Sequence, residues 1–199
     1  MTIRKTATTR VPVHPLLAER WSPRGFDPRH EVGPDQLTAL LEAARWAPSA
    51  NNSQPWRFVV TRRGTTEFDH LTDLLAPGNR VWAADAGALI LVAAQLVDDS
   101  GQPLRFALYD TGQAVAHLIT QAQAEGLATH QMGGFDTSGV SDLLGLGTDV
   151  TPVVVVAVGR FDDSADLAEP LASRERAPRS RRPLDDLVLP LDATVRQVA

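Results

Sequence analysis

Residues 44–60 read ARWAPSANNSQPWRFVV and pass from a helix through a polar loop into a strand. Pro48 ends the helix, because the residue before a proline is driven out of the α region. Trp56 then opens a run of aromatic and β-branched residues that is typical of a strand. The loop between them carries two hydroxyls and three amides, at Ser49, Ser53, Asn51, Asn52 and Gln54. So many polar side chains in one short connection suggest that the loop binds something.

Outward from this stretch, helices and strands alternate along the chain. Leu37, Leu40 and Leu41 recur at helical spacing and predict a helix over 35–46. A wide face of small and apolar residues, Leu108 among them, predicts a longer and largely buried helix over 105–125. Other runs predict strands at 56–61, 88–97 and 151–159, a strand ahead of residue 139, and short helices at 68–75 (ended by Pro77-Gly78) and 139–144. This order predicts one mixed domain, of the α/β or the α+β class.

Composition narrows the chemistry. A chain of 199 residues is long enough for one domain with its own core. It has no cysteine, which excludes disulfides and thiol nucleophiles, so any redox chemistry has to belong to a bound cofactor. The five histidines show no metal-ligand spacing, and no metal is predicted.

Membrane and nucleic-acid partners are not expected. The apolar run at 87–97 is too short to cross a bilayer, and the N-terminal residues lack a signal-peptide pattern, so a cytoplasmic location is predicted. The net charge of -5 gives no overall attraction to nucleic acid or anionic lipid. The arginine-rich stretch at 174–183 is short and has no interleaved aromatic residues, which argues against a nucleic-acid surface.

Three short features fit a planar cofactor that carries a phosphate. Arg20 and Arg24, with the Ser22 hydroxyl between them, could meet a phosphate. Side-chain amides both donate and accept, as the pyrimidine edge of a flavin requires of its partners. The glycine pair at 133–134 would let the backbone approach a flat ring closely. Each feature also has a plain explanation, because amides can satisfy their own loop and arginines can be solvated.

Taken together, four segments resemble the FMN-dependent nitroreductase family, in that family's order. They are ERWSPRGFDP (19–28), ARWAPSANNSQPWRFVV (44–60), HQMGGFD (130–136) and PRSRRPLDDLV (178–188). The resemblance implies an α+β fold with a central, mostly antiparallel sheet wrapped by helices. It also implies an intertwined homodimer of single domains spanning 1–199, each with a C-terminal arm over about 161–199 and with FMN bound at the interface.

The resemblance also assigns cofactor-binding residues. Its N-terminal and C-terminal elements would hold the phosphate and ribityl chain, the polar loop would line the flavin, and the turn near residue 133 would lie along the ring. The residues implied are Arg20, Trp21, Ser22, Arg24, Pro48, Ser49, Asn52, Gln54, Gln131, Met132, Gly133, Gly134, Arg179 and Arg181. No proton-transferring residue is implied.

The activity implied is ping-pong reduction of nitroaromatic, quinone or similar small-molecule acceptors, with NADH or NADPH as the donor. Two alternatives are a specialised flavin-dependent dehydrogenase or dehalogenase of one metabolite, and a non-catalytic flavin-binding protein. The sequence departs from the family at Trp21 and Ala50, which replace residues that are often polar, and at Gly133, where some members have an acid. The connection DDSGQPLR (98–105) is also shorter than the helical excursion of many members, which predicts an open active site.

Overall fold

A four-stranded antiparallel sheet forms the centre of the computed structural model, which describes Ile3 and residues 5–189. Its strands, in the spatial order β1-β2-β4-β3, are β1 (Trp56–Arg62), β2 (Ala88–Gln95), β3 (Ala128–Met132) and β4 (Val150–Gly159). β2 is almost wholly apolar and buried, as expected of a central strand that is covered on both faces. Pro152 has no N–H to donate, and β4 accommodates it at a register shift opposite Val92 and Ala93.

Helices cover both faces of the sheet. In the described part of the chain they are α1 (Pro15–Ala18), α2 (Pro34–Arg45), α3 (Thr66–Asp73), α4 (Pro77–Ala83), α5 (Ala107–Ala124), α6 (Thr137–Leu144) and α7 (Leu171–Arg176). α2 and α5 pack against Ile90 and Val92 of β2, whereas α3, α4 and α6 pack in the layer of Leu89 and Leu91. Alternate residues of one strand therefore supply two separate cores.

The predicted α+β class with an antiparallel sheet is confirmed, and the predicted helices and strands are present with boundaries that agree to within two residues. Three details differ. Pro77 begins α4 instead of only ending the helix before it, as a proline can when it occupies the first turn. Leu108 is exposed, although it was expected on the buried face of α5. A short helix, α7, begins within the C-terminal arm and places Glu175 in the interior.

Two connections that carry predicted site residues lie at the same end of the sheet but at opposite edges. Residues 49–54 precede β1, whereas Gly133 and Gly134 follow β3. With β2 and β4 between them, the two edge strands are three strand spacings apart, or about 14 Å. Within one chain, the polar loop and the glycine pair therefore lie at opposite edges of the sheet.

The described helices include none that combines the length and the hydropathy needed to cross a membrane.

Candidate functional site

The polar loop, residues 48–54, has an unusual backbone. Asn51, Asn52 and Gln54 have positive φ angles of 52°, 57° and 46°, a region that residues other than glycine enter at an energetic cost. Ser49 Oγ accepts from the Gln54 N–H at 3.1 Å, and Gln54 Nε2 donates to the Asn52 carbonyl at 3.1 Å. The side chains of Asn51, Asn52 and Gln54 are nevertheless exposed. The loop therefore offers amide groups to a partner while its backbone is tied together from within.

A cationic cluster between the N-terminal segment and the C-terminal arm consists of Arg20, Arg179 and Arg181. Burial, followed by the guanidiniums of Arg179 and Arg181, lowers the pKa of Arg20. Burial and Arg181 likewise lower the pKa of Arg179. Among the residues that the structure describes, none of the three forms an ion pair with a carboxylate. Positive charges gathered in this way, without a carboxylate partner, could hold an anion.

The cluster is held in place by its own hydrogen bonds. Arg179 Nη1 donates to the carbonyls of Lys5 and Ala18, at 2.6 and 2.7 Å, and so ties the C-terminal arm to the end of α1. Arg20 Nη1 donates to Ser22 Oγ at 3.3 Å. The structure thus brings together Arg20, Ser22 and Arg179, which lie at opposite ends of the sequence.

Arg24 has a different partner from the rest of this group. Its guanidinium lies 3.8 Å from Oε2 of Glu175, which is only 5% exposed. Oε1 of Glu175 accepts from the backbone N–H groups of Arg24 and Gly25 at 2.8 and 3.1 Å. Arg24 is therefore partly neutralised, and its first role in the fold is to join the 20–25 segment to α7.

Trp21, in the same N-terminal segment, packs against Phe161 and Lys5. Its ring meets Phe161 edge-on at 5.2 Å between centroids, and the Lys5 ammonium lies 4.3 Å above it. Lys5 therefore adds a further positive charge beside the cluster. Burial is the largest cause of the lowered pKa of this lysine, which the nearby guanidiniums of Arg24 and Arg179 lower further.

The turn after β3 leaves open space beside Gly133. Asn79 Nδ2 and the Ala76 N–H both donate to the Gly134 carbonyl at 3.0 Å, which fixes the turn against α4. A Cβ atom built on Gly133 would meet no heavy atom of the described residues within 4 Å, so they leave the space beside Gly133 open. Gln131 is exposed, but the Met132 side chain is 2% exposed and belongs to the core. At Met132 only the backbone is available to a ligand in the isolated chain.

His130 links this turn to the arginine segment. Because the Pro23 carbonyl can only accept, the His130 Nδ1–H must donate across the 2.9 Å between them. The ring also lies against Trp82, with 4.6 Å between centroids. Burial is the main cause that lowers the pKa of His130 from 6.5 to about 4, and Arg24 and Arg20 lower it further. The histidine is therefore neutral at neutral pH and serves as a hydrogen-bonding strut.

The lowered pKa of His130 predicts that the folded protein loses stability in acid. The unfolded chain binds a proton at His130 with a pKa of 6.5 and the folded chain with a pKa of about 4. The contribution of His130 is therefore complete above pH 6.5 and is lost as the pH falls towards 4, by about 2 to 3 kcal/mol. Urea unfolding at about pH 7.5 and about pH 4.5 measures this loss. His130→Gln should lose less stability over the same interval, and equal losses would contradict the assignment.

Comparison with known proteins now decides the family. The model described as the Nitroreductase family matches residues 17–81 and 62–160. The chain belongs to the nitroreductase family. An uncharacterised 15.4 kDa protein of Mycolicibacterium smegmatis is 37% identical over 139 residues, which are 66% of this chain and 92% of that protein. The resemblance read from the four sequence segments is thereby confirmed.

Two further relatives of this nitroreductase family member carry informative names. A solved structure described as an oxidoreductase containing FMN superposes with a TM-score of 0.88 at 34% identity, covering 95% of this chain and 96% of that chain. The major NAD(P)H-flavin oxidoreductase of Aliivibrio fischeri is 42% identical over 50 residues, which are 24% of this chain and 23% of that protein.

Sequence reasoning missed Lys5, Asp110 and Glu175 near these segments. Asp110 could have been found, because it shares a helical face with Ala107, Ala114 and Leu118, all of which are buried. Glu175 was hidden within an arginine-rich stretch that looked solvated. Among Ile3 and residues 5–189, no three or more histidine, aspartate or glutamate side chains gather in an arrangement suited to a metal ion.

Proposed function

We propose that this nitroreductase family member is an FMN-dependent oxidoreductase that passes electrons from NADH or NADPH to small aromatic acceptors such as nitroaromatics or quinones. The observation that carries the proposal is the cluster of Arg20, Arg179 and Arg181, which has no carboxylate ion-pair partner among the described residues. Arg20 also lies near His130 of β3, the strand that leads into Gly133. FMN, when bound, supplies transfer of electrons between a nicotinamide and an acceptor.

The residues present fit FMN in two respects. A phosphate would provide the negative charge that the three guanidiniums lack, and the Ser22 hydroxyl is available beside Arg20. A flat ring would lie over Gly133, where no side chain intervenes. The similar solved structure, an oxidoreductase containing FMN, supports the same choice. These residues would hold one mononucleotide, so FMN is preferred over FAD.

The amides of the polar loop would complete the site from a second copy of the chain. Ser49, Asn52 and Gln54 precede β1, whereas Gly133 and Gly134 follow β3 at the opposite edge of the sheet, about 14 Å away across three strand spacings. Arg20 lies near β3, where it acts on His130. Apolar side chains that a second copy could cover are exposed at the start of α5 and on the C-terminal arm: Phe106, Leu108, Tyr109, Leu184, Leu187 and Val188. We therefore propose an intertwined homodimer in which each cofactor meets the loop of one protomer and the arginines of the other.

The same geometry favours broad tolerance of acceptors. The connection between β2 and α5 is a compact turn, in which the Asp98 N–H donates to the Gln102 carbonyl at 2.8 Å and the Leu104 N–H donates to the Leu96 carbonyl at 2.8 Å. This turn is too short to form a helical cover over a site. Gly133 and Gly134 offer backbone in place of discriminating side chains, so a nicotinamide and an aromatic acceptor would occupy one position in turn.

The function is tested with the purified protein in a single series of measurements. It should be yellow, release FMN on acid extraction, and sediment as a dimer when followed at the visible absorption of the flavin. NADH or NADPH should bleach that colour, and a quinone or nitroaromatic should restore it. Steady-state rates at several fixed acceptor concentrations should give parallel double-reciprocal lines. Intersecting lines would refute the shared position, and a protein that neither holds FMN nor responds to added FMN would refute the function.

A further inference from the structure

The polar loop is strained, and its own hydrogen bonds do not explain why it keeps its shape. Asn51, Asn52 and Gln54 all have left-handed backbone angles. This costs on the order of 1 kcal/mol at Gln54 and less at the two asparagines, which enter that region more readily. The bonds within the loop close it on itself, as when the Asn52 N–H donates to the Ser49 carbonyl at 3.1 Å. They do not fix where the loop points. A strained segment persists only when its surroundings hold it.

Asp110 of α5 holds the polar loop through its backbone. It is 3% exposed, and its Oδ2 accepts from the Ala50 N–H at 3.0 Å. Its other oxygen meets the amide of Gln113 at 3.4 Å. No arginine or lysine pairs with it among the described residues. It lies in the first turn of α5, near the partial positive charge of the helix N-terminus.

The ends of the loop have separate anchors. Ala47 before it and Trp56 after it are both buried, and the Gln95 N–H donates to the Pro55 carbonyl at 2.8 Å. Between these ends, the bond from Ala50 to Asp110 is what connects residues 49–53 by hydrogen bonding to another element of the described chain. A buried carboxylate is costly without partners, and the Ala50 N–H and the Gln113 amide supply them here.

We propose that Asp110 is a positioning residue: its buried carboxylate accepts a hydrogen bond from the Ala50 N–H and so holds the strained polar loop in the one conformation that binds the flavin. This rests on the proposed function in so far as the ligand of the loop is FMN. Asp110 acts through the loop and does not itself touch the cofactor. Without this hydrogen bond, a smaller fraction of the molecules has the loop in its binding conformation, and the apparent affinity for the flavin falls in proportion to that fraction.

Two measurements on Asp110→Ala test this role. Hydrogen exchange of the FMN-free protein, read at residues 49–54, should become faster, while exchange in β2 and β4 stays at the parent rate. The dissociation constant for FMN should rise by about tenfold to a hundredfold, the range that loss of a charge-assisted hydrogen bond implies. Asp110→Asn keeps an uncharged acceptor and should give intermediate values for both quantities.

Ile119→Val is the matched control. Ile119 lies on the same helix and is 9% exposed, so the change lowers stability without touching the loop. It should leave loop exchange and FMN affinity unchanged. If Asp110→Ala does not fold, Asp110→Asn carries the test alone.

Loop exchange and affinity equal to those of the parent chain in the folded Asp110 variant would overturn the positioning role. An increase in exchange that is equal in the loop, β2 and β4 would show a general loss of stability, and it would overturn the positioning role as well. Failure of the proposed function is recognised separately. In that case the parent chain itself does not bind FMN, whereas the exchange measurement on the FMN-free protein still reports whether Asp110 holds the loop.

Discussion

Gly133→Val should leave the fold intact and abolish tight binding of FMN. A Cβ at this position would meet no heavy atom within 4 Å, and the backbone is not in the left-handed region, so the isolated chain has room for the new side chain. The branched side chain would instead occupy the open space in which the flavin ring is proposed to lie. We expect the dissociation constant for FMN to rise by at least about a hundredfold, because blocking a flat contact excludes the ring and does not merely weaken one bond.

Titration of the FMN-free protein by flavin fluorescence measures this effect, and thermal unfolding without flavin checks the fold. Gly147→Val is the matched control, since its Cβ would also meet nothing within 4 Å, in the turn before β4. Gly134→Ala makes a useful contrast, because its Cβ would lie 3.1 Å from Asn79 Nδ2 and 3.3 Å from the Ala76 Cβ. That variant should lose stability even without FMN. Unchanged flavin affinity in Gly133→Val would show that the ring does not lie there.

The helices and strands were predictable wherever a local pattern decides them. The apolar spacing of α2, the proline that ends it, and the β-branched run of β4 each act within a few residues, and the structure follows them. Pro77 shows the limit of this reasoning. The same residue suits the end of one helix and the first turn of the next, and only the packing of Trp82 in the core selects the second role.

The site was predictable in its residue types but not in its pairings. Arg20 and Arg24 look alike in the sequence, yet Arg20 joins the uncompensated cluster and Arg24 meets Glu175. That difference depends on a carboxylate 151 residues away, which no local pattern reports. The separation of the polar loop from the glycine pair likewise follows from strand order, since β1 and β3 become opposite edges only when β2 and β4 pair between them. The proposed need for two copies of the chain arises from this topology.

Arg20→Ala should weaken FMN binding by about one to two decades, the loss expected when a charge-assisted contact to phosphate, about 1.5–3 kcal/mol, is removed. The effect on stability should be small. Among the described residues the Arg20 guanidinium makes one long hydrogen bond, to Ser22, and it lies among like charges that it repels. Removing it relieves that repulsion in the FMN-free protein. Thermal unfolding without flavin should therefore show an unchanged or slightly higher midpoint.

Two other arginines make the interpretation specific. Arg29→Ala removes an equal charge from an exposed residue that pairs with Asp27, and it should leave FMN affinity unchanged. Arg24→Ala should weaken FMN binding less than Arg20→Ala and should cost more stability, because it leaves the buried Glu175 carboxylate without its cationic neighbour. A flavin titration in which Arg24→Ala has the larger effect on affinity would mean that the phosphate draws Arg24 away from Glu175. Equal affinity for the parent chain and Arg20→Ala would remove the arginine cluster from the phosphate site altogether.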